Sequence, residues 1–216
     1  APRVDLLHPE IMVRSLDGLR QIPALGCVVL GPGMGASSAA MDALCFWLSQ
    51  GVPLLLDADA LNLIAGNETL RSAVRQRAAE TVITPHPGEA ARLWGQAVEH
   101  RRREECALAL AQELNAVCVL KGSHSLVAHP DGCCCTNPTG NAGLASAGTG
   151  DVLSGVIGSF MAQCMPGFDA ACAGVFVHGA AADALVARGI GPIGLTASEV
   201  AIEVRETINA LNLGQH

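Results

Sequence analysis

Short apolar runs alternate along the chain with longer stretches in which apolar residues recur at helical spacing, and each run ends in polar or glycine-rich punctuation. Residues 27–30 form a buried strand that runs into Gly31-Pro32-Gly33-Met34-Gly35, after which Ser37 or Ser38 can cap a helix ending near Gly51. Residues 52–56 are the next strand, which stops at Asp57-Ala58-Asp59 before a helix through Ile64. A third strand, 81–84, ends in Pro85-His86-Pro87-Gly88. Residues 89–94 and 99–114 read as helices, and 116–120 as a strand that pairs across a short loop with 125–128. Asp131-Gly132 then turns a further hairpin toward Cys135. Residues 137–150 make a fourteen-residue loop of Gly, Asn, Ser and Thr, a length more often functional than connective. Three helices, 151–163, 170–187 and 197–211, complete the chain.

Strands followed in turn by helices specify an α/β fold with a mostly parallel sheet, in which active groups gather beyond the carboxyl ends of the strands. The polar strand endings are therefore expected to converge. With 216 residues and no repeat, charge block or linker, the chain is expected to be a single domain, 1–216.

Composition narrows the class. Half of the residues are apolar and 15% are charged, against a usual share of about 25%, which excludes disorder. The apolar excess lies in small and aliphatic side chains, with no Tyr and four Phe, so close helix packing and a subunit interface, hence a homo-oligomer, are expected. The formal charge of −7 repels phosphate backbones and anionic headgroups, so no nucleic-acid partner is expected. Residues 170–187, interrupted by His178 and Asp183, are short for a bilayer and read as a buried helix, so no membrane partner is expected. The chain begins without an initiator Met or a basic region leading into an apolar run, as expected of a fragment of a cytoplasmic protein. Nine Cys, an odd number without a CxxC pair, read as reduced thiols. Neighbours in Cys133-Cys134-Cys135 would point to opposite faces of a strand and cannot clamp one metal.

Several segments carry chemistry. Gly31-x-Gly33-x-x-Ala36, with Asp57 ending the next strand, satisfies a relaxed dinucleotide fingerprint, but a substrate-contacting loop or a plain tight turn fits the same residues. Gly148, Thr149 and Gly150, just ahead of an apolar helix, can surround an anion with backbone N–H groups. Asp151 follows them; its charge repels phosphate, and it suits a base taking the proton of an attacking hydroxyl, or else a simple helix-dipole partner. Lys121-Gly122-Ser123-His124-Ser125 follows a strand and offers either a phosphate-binding charge or a hairpin turn with a solvated Lys. No GxxxxGK[ST] occurs, which excludes a P-loop ATPase. His86, held between two prolines, is placed to touch a ligand or to serve structurally. Asp57 and Asp59 share a face if the strand continues and can hold Mg²⁺ through water, unless Asp59 caps the helix. The remaining His, His178 included, and Trp47 and Trp94 read as core or surface.

Gly31-Pro32-Gly33-Met34-Gly35, Leu56-Asp57-Ala58-Asp59-Ala60-Leu61-Asn62, Thr84-Pro85-His86-Pro87-Gly88-Glu89, Val119-Leu120-Lys121-Gly122, Asn137-Pro138-Thr139-Gly140-Asn141 and Gly148-Thr149-Gly150-Asp151 occur in one order. In that order they resemble the ADP/ATP-dependent (S)-NAD(P)H-hydrate dehydratase family, the carbohydrate-kinase-related domain of the bifunctional NAD(P)H-hydrate repair enzyme. The resemblance implies a ribokinase-like three-layer α/β/α sandwich. It implies dehydration of the S form of hydrated NADH or NADPH, with ADP or ATP as co-substrate and Mg²⁺ as cofactor, by phosphorylation of the hydrate hydroxyl and phosphate elimination. By the same resemblance Asp151 is the base and a substrate contact. Gly33 and His86 contact substrate, and Lys121, Gly122, Ser123, His124, Ser125 and Gly150 bind nucleotide. By the same resemblance the chain is expected to lack a glycine-rich strand and helix that the family carries ahead of its first residue, and relatives fused to an epimerase imply such a partner. Three other readings stand beside this one: a ribokinase-like vitamin-precursor kinase, a non-catalytic nucleotide-binding module, and a dehydrogenase.

Overall fold

The computed structural model describes residues 3–4, 8 and 10–213. It opens with two short antiparallel strands, β1 (Arg3–Val4) and β2 (Met12–Val13), and a helix, α1 (Leu16–Arg20), capped by Ser15. Sequence periodicity does not reach these elements, because each is too short to repeat a pattern.

The main sheet has six strands in chain order: β3 (Val28–Leu30), β4 (Leu54–Leu56), β5 (Thr81–Ile83), β6 (Val117–Leu120), β7 (Leu126–Ala128) and β8 (Cys134–Thr136). The pairings from β3 to β6 are parallel and those from β6 to β8 antiparallel. Side chains alternate across each strand and so sort the core into two layers. Leu54, Leu56, Ile83, Cys118, Leu120, Leu126 and Ala128 join one buried cluster. That cluster includes residues of α2 (Ser38–Leu48), α3 (Ala58–Ala65), α4 (Glu68–Arg75), α5 (Pro87–Trp94) and α6 (Arg103–Leu114). Leu55, Val82, Val117, Val119 and Val127 point the other way, against α7 (Thr149–Ala162) and α8 (Gly167–Ala187). A last helix, α9 (Ala197–Leu213), packs Val200 and Val204 against Val177, Ala181 and Leu185 of α8. The result is the expected three-layer α/β/α sandwich.

Small residues set these distances. A Cβ on Gly158 of α7 would lie 2.4 Å from Val29 Cγ2, and one on Gly174 of α8 would lie 2.4 Å from Ile157 Cγ1. By length and composition α8 is apolar enough to cross a membrane, but its buried residues face the sheet, α7 and α9. Buried Arg77 donates to the carbonyls of Trp47, Leu48, Gln50 and Val52, which satisfies the C-terminal end of α2 and the turn into β4. Helix α4 is an element the strand and helix pattern above does not include: Asn67 caps it, and Leu70 and Val74, four apart, make its buried face.

The parallel strands bring their carboxyl ends to one edge, and the ladder continues past them. Asp57 N–H donates to Leu30 O, Thr84 N–H to Leu56 O, and Lys121 N–H to Pro85 O. Gly31, Asp57, Thr84 and Lys121 therefore stand in a row, as their positions at strand ends predict.

Candidate active site

A cavity of about 440 Å³ opens at that edge. Its walls are the loop after β6, the loop from Asn137 to Ala145, the start of α7, and Val175, His178 and Gly179 of α8. Lys121, Gly122, Ser123, His124, Ser125, Thr149 and Gly150 all line it, so the two segments expected to hold phosphate and nucleotide meet in one space. Gly148 is the N-cap of α7 with φ +84°, a backbone that favours glycine, and the helix begins at Thr149. The first N–H groups of α7 have no carbonyl partner within the helix, which makes its N-terminus the natural seat of an anion.

Asp151 lies in the first turn of α7, exposed, just outside the residues that line the cavity. Gly33 and His86 stand at the ends of β3 and β5, also outside that wall. Most of the residues expected to bind nucleotide are thus gathered in one cavity, while those expected to contact substrate, Gly33, His86 and Asp151, lie outside its lining. At Gly31 a Cβ would fall 1.7 Å from Asp57 O, so this turn is glycine because two strand ends touch there. Gly35 N–H donates to Asp59 at 2.7 Å, tying the turn to α3. The strand order runs from β3 to β6 without reversal, so the described sheet lacks the switch point at which a dinucleotide fold binds its cofactor.

His86 serves as a cap as well as standing at this edge. Its Nδ1 accepts from Gly88 N–H at 2.9 Å and Glu89 N–H at 3.3 Å, while Glu89 accepts His86 N–H at 2.8 Å. With Nδ1 accepting, the ring proton belongs on Nε2, which stands half-exposed and 3.4 Å from Glu89 Oε1. The ring is thereby fixed in place by its own helix.

Two expectations change. Lys121 is not a solvated turn residue: its ammonium pairs with Asp57 Oδ1 at 2.7 Å. Asp57 and Asp59 do not share a strand face, because the helix begins at Ala58, and it is Asp57 that caps it. Asp57 has its oxygens occupied by Lys121, Ala58 N–H and Ser154, and cannot serve as a Mg²⁺ ligand as placed. Among the described residues no group of three or more His, Cys, Asp and Glu is placed to hold a metal ion.

Sequence reasoning missed one residue that lines the cavity, His178, and one that braces its wall, Arg103. His178 is 6% exposed, and burial pushes its pKa down to about 4. Its Nε2 is buried without a hydrogen-bond partner, although the residue lines the cavity. Apolar neighbours on α8 masked it as core. Arg103, at the start of α6, donates to Ser123 O at 2.5 Å and lies 2.9 Å from the site of a Cβ on Gly122. It braces the Lys121–Ser125 loop, a contact across twenty residues that spacing does not announce.

A family model described as NAD(P)H-hydrate dehydratase matches residues 3–203. The chain is 42% identical over 201 residues to the ADP-dependent (S)-NAD(P)H-hydrate dehydratase of Neisseria meningitidis serogroup B, covering 91% of this chain and 68% of that one. It is 44% identical over 208 residues to the bifunctional NAD(P)H-hydrate repair enzyme Nnr of Escherichia coli, and covers 39% of that longer protein. The ADP/ATP-dependent NAD(P)H-hydrate dehydratase of Bacillus subtilis, co-crystallized with ATP/Mg²⁺, superposes with a TM-score of 0.76 at 30% identity, over 88% of this chain and 66% of that one.

Proposed function

The chain belongs to the ADP/ATP-dependent NAD(P)H-hydrate dehydratase family, on a ribokinase-like fold, and from that premise we propose how its own residues carry the reaction. The observation that carries the reading is the single cavity in which Lys121–Ser125 and the start of α7 face one another. ADP or ATP lies in this cavity, its terminal phosphate against the N–H groups of the first turn of α7. The hydrate of NADH or NADPH, in its S form, lies along the strand-end edge beside Gly33 and His86. His86 Nε2–H is the donor that edge presents.

Asp151 takes the proton of the hydrate hydroxyl as that oxygen attacks phosphorus and the shortened nucleotide leaves. The phosphate ester then departs as inorganic phosphate, and loss of a neighbouring C–H proton restores the ring double bond. When bound, Mg²⁺ neutralises charge on the nucleotide phosphates, and no chain residue described here is assigned to it. Epimerisation of the R hydrate belongs to a partner domain or a separate epimerase.

The test is recovery of the near-ultraviolet absorbance of reduced nicotinamide when purified S hydrate is mixed with the chain, ADP or ATP, and Mg²⁺. Asp151→Asn is expected to lower kcat by about 10²–10⁴-fold while nucleotide still binds by calorimetry; retained turnover removes Asp151 as base. A stable phosphorylated product without recovered absorbance would identify a kinase instead. Homo-oligomerisation is part of the proposal, supported by the apolar groove between α7, α8 and α9 that Phe160, Met165, Val177, Ile208 and Leu211 line. A light-scattering mass above the 22.1 kDa of one chain is the expected result.

A further inference from the structure

Of the thirteen Lys and Arg residues, twelve are arginine and one, Lys121, is lysine. That lysine stands at the end of β6 with its side chain 18% exposed, 2.7 Å from a carboxylate, Asp57, that is 1% exposed. The other oxygen of Asp57 accepts the hydroxyl of Ser154 at 2.7 Å, and Ser154 is fully buried. Ser154 lies four residues beyond Gly150 on α7, so the two share a face. The ammonium of Lys121 comes within 3.4 Å of where a Cβ on Gly150 would stand. One cluster thus ties the ends of β4 and β6 to the first turns of α7.

A partly buried ion pair costs desolvation and is a poor device for stability alone. Two features suggest what it does instead. An ammonium carries three donors, and among the described residues one is used, on Asp57, which leaves two for a ligand in the cavity that Lys121 lines. The residue is also compact where arginine serves everywhere else, and an arginine fork would have to fit between Asp57 and Gly150.

We propose that Asp57 is a positioning residue for phosphoryl transfer that acts only through Lys121: it holds the ammonium beneath the start of α7, where the free N–H donors meet oxygens of the transferring group. Ser154 fixes the carboxylate that does the holding. The inference rests on the phosphoryl-transfer reading above. A free lysine would lose rotamer freedom each time it engaged the phosphate, whereas here the order is built in during folding. Interactions pre-set in this way count most as charge shifts in the transition state, so their loss falls on kcat rather than on nucleotide KM.

The experiment uses the whole chain with Asp57→Asn, Lys121→Met, the double variant and Ser154→Ala. K121M is expected to lose about a hundredfold in kcat and D57N about tenfold to a hundredfold, with nucleotide KM little changed. The double variant should be no slower than K121M, and S154A should show a smaller loss in kcat. Selective ¹³C labelling of lysine adds a readout without turnover, because the single lysine needs no assignment. Its ε-methylene signal should move when ATP and Mg²⁺ are added to the wild type, and should be averaged and insensitive to ATP in D57N.

Losses that multiply in the double variant would overturn the proposal, as would full kcat in D57N or a wild-type lysine signal indifferent to bound ATP. If D57N does not fold, Asp57→Glu replaces it. A folded D57E with lower kcat and a displaced lysine signal supports the proposal, and full kcat defeats it. A chain that binds ATP and shifts its lysine signal, yet leaves the hydrate untouched, would count against the reaction and not against the positioning.

Discussion

His178 shows what burial does to a single titratable group. Its folded pKa, pushed down to about 4 by desolvation, lies below the value of about 6.5 of an unfolded histidine. The unfolded chain therefore binds a proton that the folded chain refuses, and stability falls as pH drops from about 6.5 to about 4. Above that window the contribution is fully present; across it, up to about 3 kcal/mol is lost. Urea midpoints compared between pH 7.5 and pH 4.5 should drop further for the wild type than for His178→Gln, and equal drops would refute the assignment. In the sequence His178 was one polar letter in an apolar helix, and only the packing of α8 beside the cavity gives it this character.

At the scale of elements, the loop after β8 depends on α8 through a contact that admits no side chain. A Cβ on Gly179 would lie 2.2 Å from Thr139 Oγ1 and under 3 Å from its backbone, while Thr139 Oγ1–H donates to Phe176 O and Asn137 to Val175 O. Gly179→Ala is expected to push this loop off the helix, lowering the melting temperature by several degrees and raising nucleotide KM, since Asn137, Thr139 and Gly140 form the cavity wall. Unchanged KM together with unchanged melting would show that the loop adapts. Asp183 accepts from Gly140 N–H and Asn141 at the same wall, which explains the acidic residue that interrupts the apolar run of α8. Of the triplet Cys133-Cys134-Cys135, the two residues within β8 alternate as a strand requires. Cys134 packs toward the layer of Cys118, and Cys135 toward Cys172 of α8, whose thiol burial pushes up to about 12.

At the scale of the molecule, the cavity is a seam between layers, since the loops after β6 and β8 form one side of it and α7 and α8 the other. A ligand there binds only the assembled protein and so stabilises it. ATP with Mg²⁺ at about a hundred times its Kd should add about 2.7 kcal/mol, and raise the melting temperature by roughly 5 to 10 °C for a chain of this size. No shift in a thermal scan would show that the folded chain does not bind the nucleotide. The order of strands and helices, the parallel sense of the sheet and the meeting of polar strand ends at one edge were legible in the sequence. Local periodicity and punctuation record which residues must be buried and where the chain must turn. The short β1, β2 and α1 were not legible, because two to five residues cannot show a period. The partners of Asp57 were also beyond it: Lys121 and Ser154 lie 64 and 97 residues away. Sequence alone determined which groups are present and at which edge they gather. Which carboxylate stands exposed at the start of α7 and which is spent holding a lysine was decided by tertiary structure, because those hydrogen bonds form only when the layers close.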